Sequence, residues 1–228
     1  MKHVFNVALA ACALMLIYVC YASIMGPINF EKEKSHREQA VISRLIDIRK
    51  AQMEYRNHHK GEFAGSFDTL VTWVKTAKLP LLYKAGELTD KQLEEGLTDA
   101  KAVKIINKAK KTGNYSEVKK LGLEGFVRDT IWVAALDTLF GKNYIADSMA
   151  YVPFGNGKIF EIATKNDTAK SGAPVFMFEV KTPYESYMGG MDRQEIINLK
   201  DVQTKLGRYC GLKIGSIENP NNGEGNWE

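Results

Sequence analysis

A small set of residues carries chemistry by type and spacing. Glu54 and His58 stand one helical turn apart, with His59 and Glu62 just beyond. An i, i+4 Glu/His pair presents two ligands from one helix face, as zinc sites do. Two adjacent histidines closing a helix are equally served by the helix dipole, so the pair by itself assigns no metal. Cys210 is the sole cysteine outside the N-terminal apolar run. A nucleophilic thiol needs a positioned base, none stands near it in sequence, and a partly buried structural thiol is the plainer account.

The acids of the strand-rich half are Asp129, Asp137, Asp147, Glu161, Glu179 and Asp192. Hydrolysis or group transfer calls for a carboxylate pair or a base beside a nucleophile, and the histidines, at positions 3, 36, 58 and 59, all lie in the first third of the chain. Asp129 and Asp137 are the pair to inspect. Salt bridging and turn capping are the ordinary uses of such side chains, so no catalytic residue and no cofactor is assigned. Gly155-Asn156-Gly157-Lys158 has neither the Gly spacing nor the following Ser/Thr of a phosphate loop and is read as a hairpin turn. The tail from Asn219 to Glu228 offers Asn and Glu oxygens on a Gly-rich loop, but no alternating Asp run that would select calcium; a terminal loop pinned by Trp227 is expected.

The elements that must hold these groups begin with an apolar run. Val4 to Met25 is 22 consecutive residues without a charge. At about 1.5 Å per residue it reaches roughly 33 Å, enough for a hydrocarbon core about 30 Å thick. A signal anchor, a cleaved secretory signal and a lipoprotein signal compete for this segment. Secretory apolar cores are typically about 7–15 residues long, whereas this run ends only at Gly26-Pro27. Ala22-Ser23 is a possible cleavage point with Cys20 in the minus-three position. Leu9-Ala10-Ala11-Cys12 spells a lipobox, but more than a dozen apolar residues follow Cys12. Length favours the anchor, with Cys12 and Cys20 as small apolar residues facing lipid or a neighbouring helix.

A literal positive-inside count, with Lys32, Lys34, Arg37 and Arg44 after the span, places the large domain in the cytoplasm. The tail before the span is only three residues, however, and Glu31, Glu33 and Glu38 interleave with the basic residues. The layout is that of anchors that export the domain attached to their C-terminal end. The expectation is a single-pass protein of a bacterial inner membrane with a periplasmic domain.

Thirty-one basic residues against 27 acidic ones give a formal charge of +4, with both signs mixed along the chain. This is an ordinary solvated surface, and no nucleic-acid partner is expected. The cysteine count excludes a disulfide scaffold and a cysteine-rich zinc site in the part beyond the span.

From Glu31 to Asn57 no Gly or Pro interrupts a helix-compatible stretch, in which Val41, Ile42, Leu45, Ile46 and Ile48 share one broad face. Arg49, Gln52 and Arg56 continue that arc and are read as snorkelling at the edge of a core. Ser66 caps a helix from Phe67, and Thr89 with Gln92 opens another that runs to about Lys111. The lysines between 101 and 120 make this region basic; a solvated helix face is the default reading, and docking on anionic lipid or nucleic acid is the minority one, because aromatics that would stack on bases are scarce here. Thr130–Ala134, Ala150–Phe154, Ile159–Ala163 and Val175–Val180 read as short strands of an antiparallel sheet, and Asp192–Leu206 as a last helix.

The fold class expected is therefore α+β: an N-terminal transmembrane helix continuing into a long stalk helix, packed on a small antiparallel sheet with extra helices. The divisions expected are an anchor at 1–29, a stalk at 30–62 and a globular domain at 63–228.

The order of a basic start, an apolar span, the helix segment Ile48-Arg49-Lys50-Ala51-Gln52-Met53-Glu54-Tyr55, then Gly61-Glu62-Phe63 and Phe67-Asp68-Thr69-Leu70, resembles the N-terminal half of type IV pilins and type II secretion pseudopilins. The resemblance covers about residues 1–74. It implies a long helix that anchors each subunit and packs into a filament, with an antiparallel sheet over the helix's C-terminal half. The chain departs from that pattern: no Gly-Phe processing site precedes the span, and Ala8 to Ala10 stand where the family's buried Glu is expected. The segment Gly211 to Glu228 is similar to uncharacterised single-span envelope proteins of Bacteroidota-type bacteria. Together these imply a non-enzymatic envelope protein, touching the bilayer through residues 4–25 and a protein partner or a second copy through helix 31–57. The alternative is an anchored enzyme or ligand-binding domain using the carboxylates of the strand-rich half.

Overall fold

The computed structural model of the chain describes residues 2–169 and 172–228. Helix α1 runs without a break over Lys2–His58, so the apolar run and the stalk are one element of 57 residues, about 85 Å long at about 1.5 Å per residue. Pro27 lies inside it; it removes one backbone hydrogen bond, and the strong helix formers after Phe30 carry the helix on. The class is α+β, as the patterning predicts: one long N-terminal helix, shorter helices, and small antiparallel sheets.

The chain divides into two compact units, residues 1–75 with 143–228 and residues 76–142. In the first, α1 is followed by α2 (Phe67–Thr76), whose Ser66 hydroxyl accepts from the Thr69 N–H at 3.2 Å. The chain returns as a 3-10 turn at Ala146–Ala150 and then builds β3 (Glu161–Thr168), β4 (Pro174–Pro183), α7 (Tyr184–Tyr187), α8 (Arg193–Lys205) and β5 (Gly211–Gly215). The three strands form an antiparallel sheet in the order β3-β4-β5, with Ile162 opposite Val180 and Val180 opposite Ile214. Central β4 is buried on both faces from Met177 to Val180.

Helix α1 packs on β5, and Val41, Leu45, Ile48 and Ala51 are fully buried. Their spacing places them on one stripe of the helix. Gly215 ends β5 at a φ of +69°, where a Cβ would strike the Phe178 carbonyl, so only glycine closes the strand against β4.

The second unit is built on an antiparallel ribbon of β1 (Lys78–Ala85) and β2 (Val127–Ala134), paired from Lys78↔Ala134 to Ala85↔Val127. Between the strands lie α3 (Asp90–Glu94), α4 (Asp99–Thr112) and α5 (Ser116–Lys120), and α6 (Ala135–Leu139) follows β2. Ala102, Ala109, Val118, Leu123 and Phe126 form its small core.

The secondary structure differs from the sequence reading at several places, three of them with a plain physical cause. The helix expected from Thr89 to Lys111 is two helices, because Gly96 turns left-handed (φ +76°), the Leu97 N–H donates to the Gln92 carbonyl at 2.9 Å, and Thr98 caps a fresh helix. The strand expected at 150–154 is only an isolated bridge, Tyr151↔Ile159. Left-handed Phe154 (φ 60°) and Asn156 (φ 48°) bend the chain out of extended geometry there. Strand β1 had no counterpart in the reading, since Pro80 interrupts its signal; the proline is tolerated because the ribbon leaves each strand an outer edge.

Candidate functional site

The first candidate site is α1 itself. It is long and apolar enough to cross a membrane, and nothing in its most apolar window is buried. Phe5, Leu14, Leu16, Ile17 and Tyr18 are each at least 65 % exposed, and exposed large apolar residues continue as far as Ile28 at 53 %. A contiguous exposed apolar surface of this extent is an interaction surface.

The other half of α1 is nailed to its own unit by arginines. Arg37 donates to the carbonyls of Tyr187 and Gly189 (both 2.9 Å) while pairing with Glu33 at 2.7 Å. Arg44 donates to the Ser148 carbonyl. Arg49 donates to the Gly223 carbonyl (3.3 Å) and the Glu228 carboxylate (2.8 Å). A guanidinium offers five fixed donors and serves two carbonyls at once, so these contacts fix both the position and the rotation of the helix.

Gln52, read as a snorkelling residue, is fully buried. Its amide donates to the Ala64 carbonyl and accepts from the Ala64 N–H, both at 2.9 Å. It thereby satisfies a buried loop backbone after the helix has ended. Arg56 lies over the Phe63 ring, 5.6 Å from its centroid, as a snorkelling arginine does.

Beside α1 lies a cleft of about 680 Å³ lined by Lys34, Glu38, Tyr184, Gln203, Lys213 and the tail. Burial, its largest influence, raises the Glu38 carboxyl above the ordinary carboxylate range, with Lys34 opposing. Burial together with the Glu38 charge pushes Tyr184 up to about 12 and raises Tyr187 further. A phenol held this firmly in its protonated form is a poor proton shuttle at neutral pH. Polar and charged side chains make up most of the cleft's lining.

The residues singled out in sequence are placed as follows. His58 Nε2 lies 3.9 Å from a Glu54 carboxylate oxygen, the predicted i, i+4 pair, but His59 Nδ1 is engaged with the Tyr55 carbonyl at 2.8 Å and its ring stacks on Tyr55 at 3.7 Å. Glu62 is exposed. Among the described residues no three His, Cys, Asp or Glu side chains are grouped to hold a metal ion. Asp129, on β2, and Asp137, in α6, are both exposed, and Asp129 accepts from the Thr130 N–H at 2.9 Å.

Asp147 pairs with Lys75 at 2.6 Å, and Asp192 caps α8 by accepting from the Gln194 and Glu195 N–H groups. Glu161 stands opposite Lys181 in the sheet register. Buried Glu179 sits between Lys181 (3.2 Å) and Lys213 (3.3 Å). Cys210 lies half-buried with its thiol toward the Lys200 carbonyl at 3.6 Å. The tail is held by Asn226, which exchanges hydrogen bonds with the Lys213 N–H (3.0 Å) and the Gly211 carbonyl (2.9 Å), by Glu228 on Arg49, and by Trp227 folded over Gly225.

Sequence reasoning passed over Glu38 and Gln52 as site residues. The signal was spacing: 38, 41, 45, 48 and 52 fall on one helical stripe, so both polar residues flank a buried apolar run. Compared with protein-family models, with curated proteins and with solved structures, the chain matches none.

Proposed function

We propose that this chain is a membrane-anchored, non-enzymatic envelope protein in which α1 is both anchor and assembly element, in the manner of pilins and pseudopilins, with the first unit carried outside the inner membrane. The observation that carries the reading is the division of α1. Its first half exposes apolar side chains to at least Ile28, and its second half is locked to the chain's own sheet by Arg37, Arg44 and Arg49. A helix fixed in rotation against a rigid body presents a defined apolar face to lipid and to a second copy.

The apolar stripe of 41–51 is covered by the first unit itself. Contact with a partner therefore falls to the exposed apolar residues 5–28 and to the polar outer face of the stalk, where Lys32, Ser35, Gln39 and Ser43 are exposed. Asp147 and Glu179 are spent on lysine pairs and Asp192 on a helix cap, while Asp129 and Asp137 are exposed on separate elements, which favours this reading over an anchored enzyme.

Single cysteines scanned through 5–28 in a C12S/C20S/C210S background, oxidised in native membranes, test it. Crosslinked dimers at positions recurring every three to four residues are the expected result, since packed helices present one face. Monomers at every position would overturn assembly through α1. Labelling of single Cys210 by an impermeant reagent only after the cytoplasm is opened would overturn the exported placement.

A further inference from the structure

The second unit contains an open cavity of about 390 Å³ whose wall is made by Val103, Ile106, Val118, Leu123 and Phe126. We propose that this cavity binds the chain of a single-chain fatty acyl anion, with the carboxylate held at the mouth by Lys110 and Lys119. The inference is independent of the assembly reading, because every residue it uses lies within 76–142.

Three observations carry it. The first is size: 390 Å³ falls at the lower end of the range of roughly 300–1,000 Å³ typical of small-ligand sites, room for one acyl chain and not for a two-chain lipid.

The second is the helical placement of the lysines. Lys101, Lys104, Lys108 and Lys111 fall on one exposed arc of α4, turned away from the cavity. Lys110 falls on the arc of Val103 and Ile106 and extends the apolar wall to a charged rim. Lys119, from α5, lines the same cavity. Among the described residues neither Lys110 nor Lys119 has an ion-pair partner, whereas Lys108 pairs with Glu117 at 3.8 Å and Arg128 is committed to Asp99 and to the carbonyls of Ala85 and Gly86.

The third is charge. Residues 99–128 carry eight basic and three acidic side chains, while the rest of the chain holds one more acid than base. The field around this cavity therefore draws anions. Glu124, also on the lining, is the one opposing charge there. An apolar pocket rimmed by unpaired ammonium groups complements a hydrocarbon chain ending in a carboxylate: the methylenes leave water for an apolar wall, and the head group meets charge-assisted donors.

The test uses the full chain in phosphatidylcholine nanodiscs with a diazirine-bearing palmitate, its crosslinks mapped by peptide mass spectrometry. Labelling within 103–128 that saturates and is competed by unlabelled palmitate is expected. Lys110→Glu with Lys119→Glu should lower it about fivefold or more, both side chains being exposed so that the fold is spared, and Glu124→Gln should raise it. The residues of α1 in the bilayer serve as an internal control whose labelling does not saturate. Crosslinks confined to 5–28, labelling of 103–128 that palmitate does not compete, or equal labelling by the diazirine palmitate methyl ester would each overturn the proposal.

Discussion

The two units solve the problem of a small core in opposite ways. Residues 1–75 and 143–228 bury one stripe of a very long helix against a three-stranded sheet, and large side chains (Leu45, Ile48, Met149, Phe160, Tyr187, Met188 and Ile214) are almost completely excluded from solvent. Residues 76–142 have a two-stranded ribbon, four helices and a core in which Ala102 and Ala109 take two of the five places. A two-strand ribbon is marginal on its own, and here Leu81, Leu82, Tyr83, Ile131 and Trp132 remain exposed on it. The first unit is a fixed platform; the second leaves apolar surface and a cavity open. Rigid placement of an anchor helix asks for the former, and binding of an apolar chain asks for the latter.

The largest effect that would sharpen this contrast is expected from Leu45→Ala. Leu45 is fully buried between α1 and the sheet, so the change should cost about 2–5 kcal/mol. In native-state hydrogen exchange, protection of β4 and β5 should fall while that of β1 and β2 stays unchanged; a parallel fall in both would break the two-unit picture.

Gln52→Ala comes next. It orphans the Ala64 N–H and carbonyl in a site where Ala64 is 1 % exposed, at a cost of about 1–3 kcal/mol for each group left unpaired. Denaturant titration of the first unit should show it, and a loss below about 0.5 kcal/mol would mean that water replaces the amide.

The pH dependence of the first unit should respond to Glu38. Its carboxyl is raised by burial in the folded state, so its contribution to stability is fully present below the ordinary value of 4.5 and is lost as pH rises through the higher folded value. Glu38→Gln should therefore flatten the fall in thermal stability as the pH rises above 4.5. Glu185, held by Lys200, and Glu228, held by Arg49, are shifted downward. They act in the opposite sense and below 4.5, leaving the window of Glu38 clear. An unchanged slope in Glu38→Gln would place the titration elsewhere.

The smallest effect is expected at Trp132. It is 64 % exposed on the ribbon, and Trp132→Ala should change stability by no more than about 0.5 kcal/mol. A larger loss would show that the ribbon is covered in the folded protein and that the second unit is less open than described.

Much of the first unit was legible in the sequence because its signals are local. The charge-free run to Met25, the stripe of Val41, Leu45 and Ile48, the Ser66 cap and the apolar, aromatic-rich run of Val175–Val180 each depend on residues within a few positions of one another. The second unit was less legible: Pro80 weakens the strand pattern of β1, and Gly96 interrupts a helical periodicity that continues in phase on either side. Its ribbon pairs residues as far apart as 78 and 134, and such pairing leaves no local mark.

The sequence by itself determined the long N-terminal helix, its apolar first half and the α+β class, because charge exclusion and helical spacing act at short range and depend on residue type alone. Only the tertiary structure decided that Arg37, Arg44 and Arg49 would be spent on carbonyls between residues 148 and 223, and that Gln52 would serve Ala64. It alone decided that Glu38 would be pushed upward by burial, and that Lys110 would rim a cavity while Lys108 faces solvent. Each of these depends on which distant backbone or wall is brought against the side chain. A hydrogen bond, a desolvation cost or a cavity belongs to that approach and not to either residue alone.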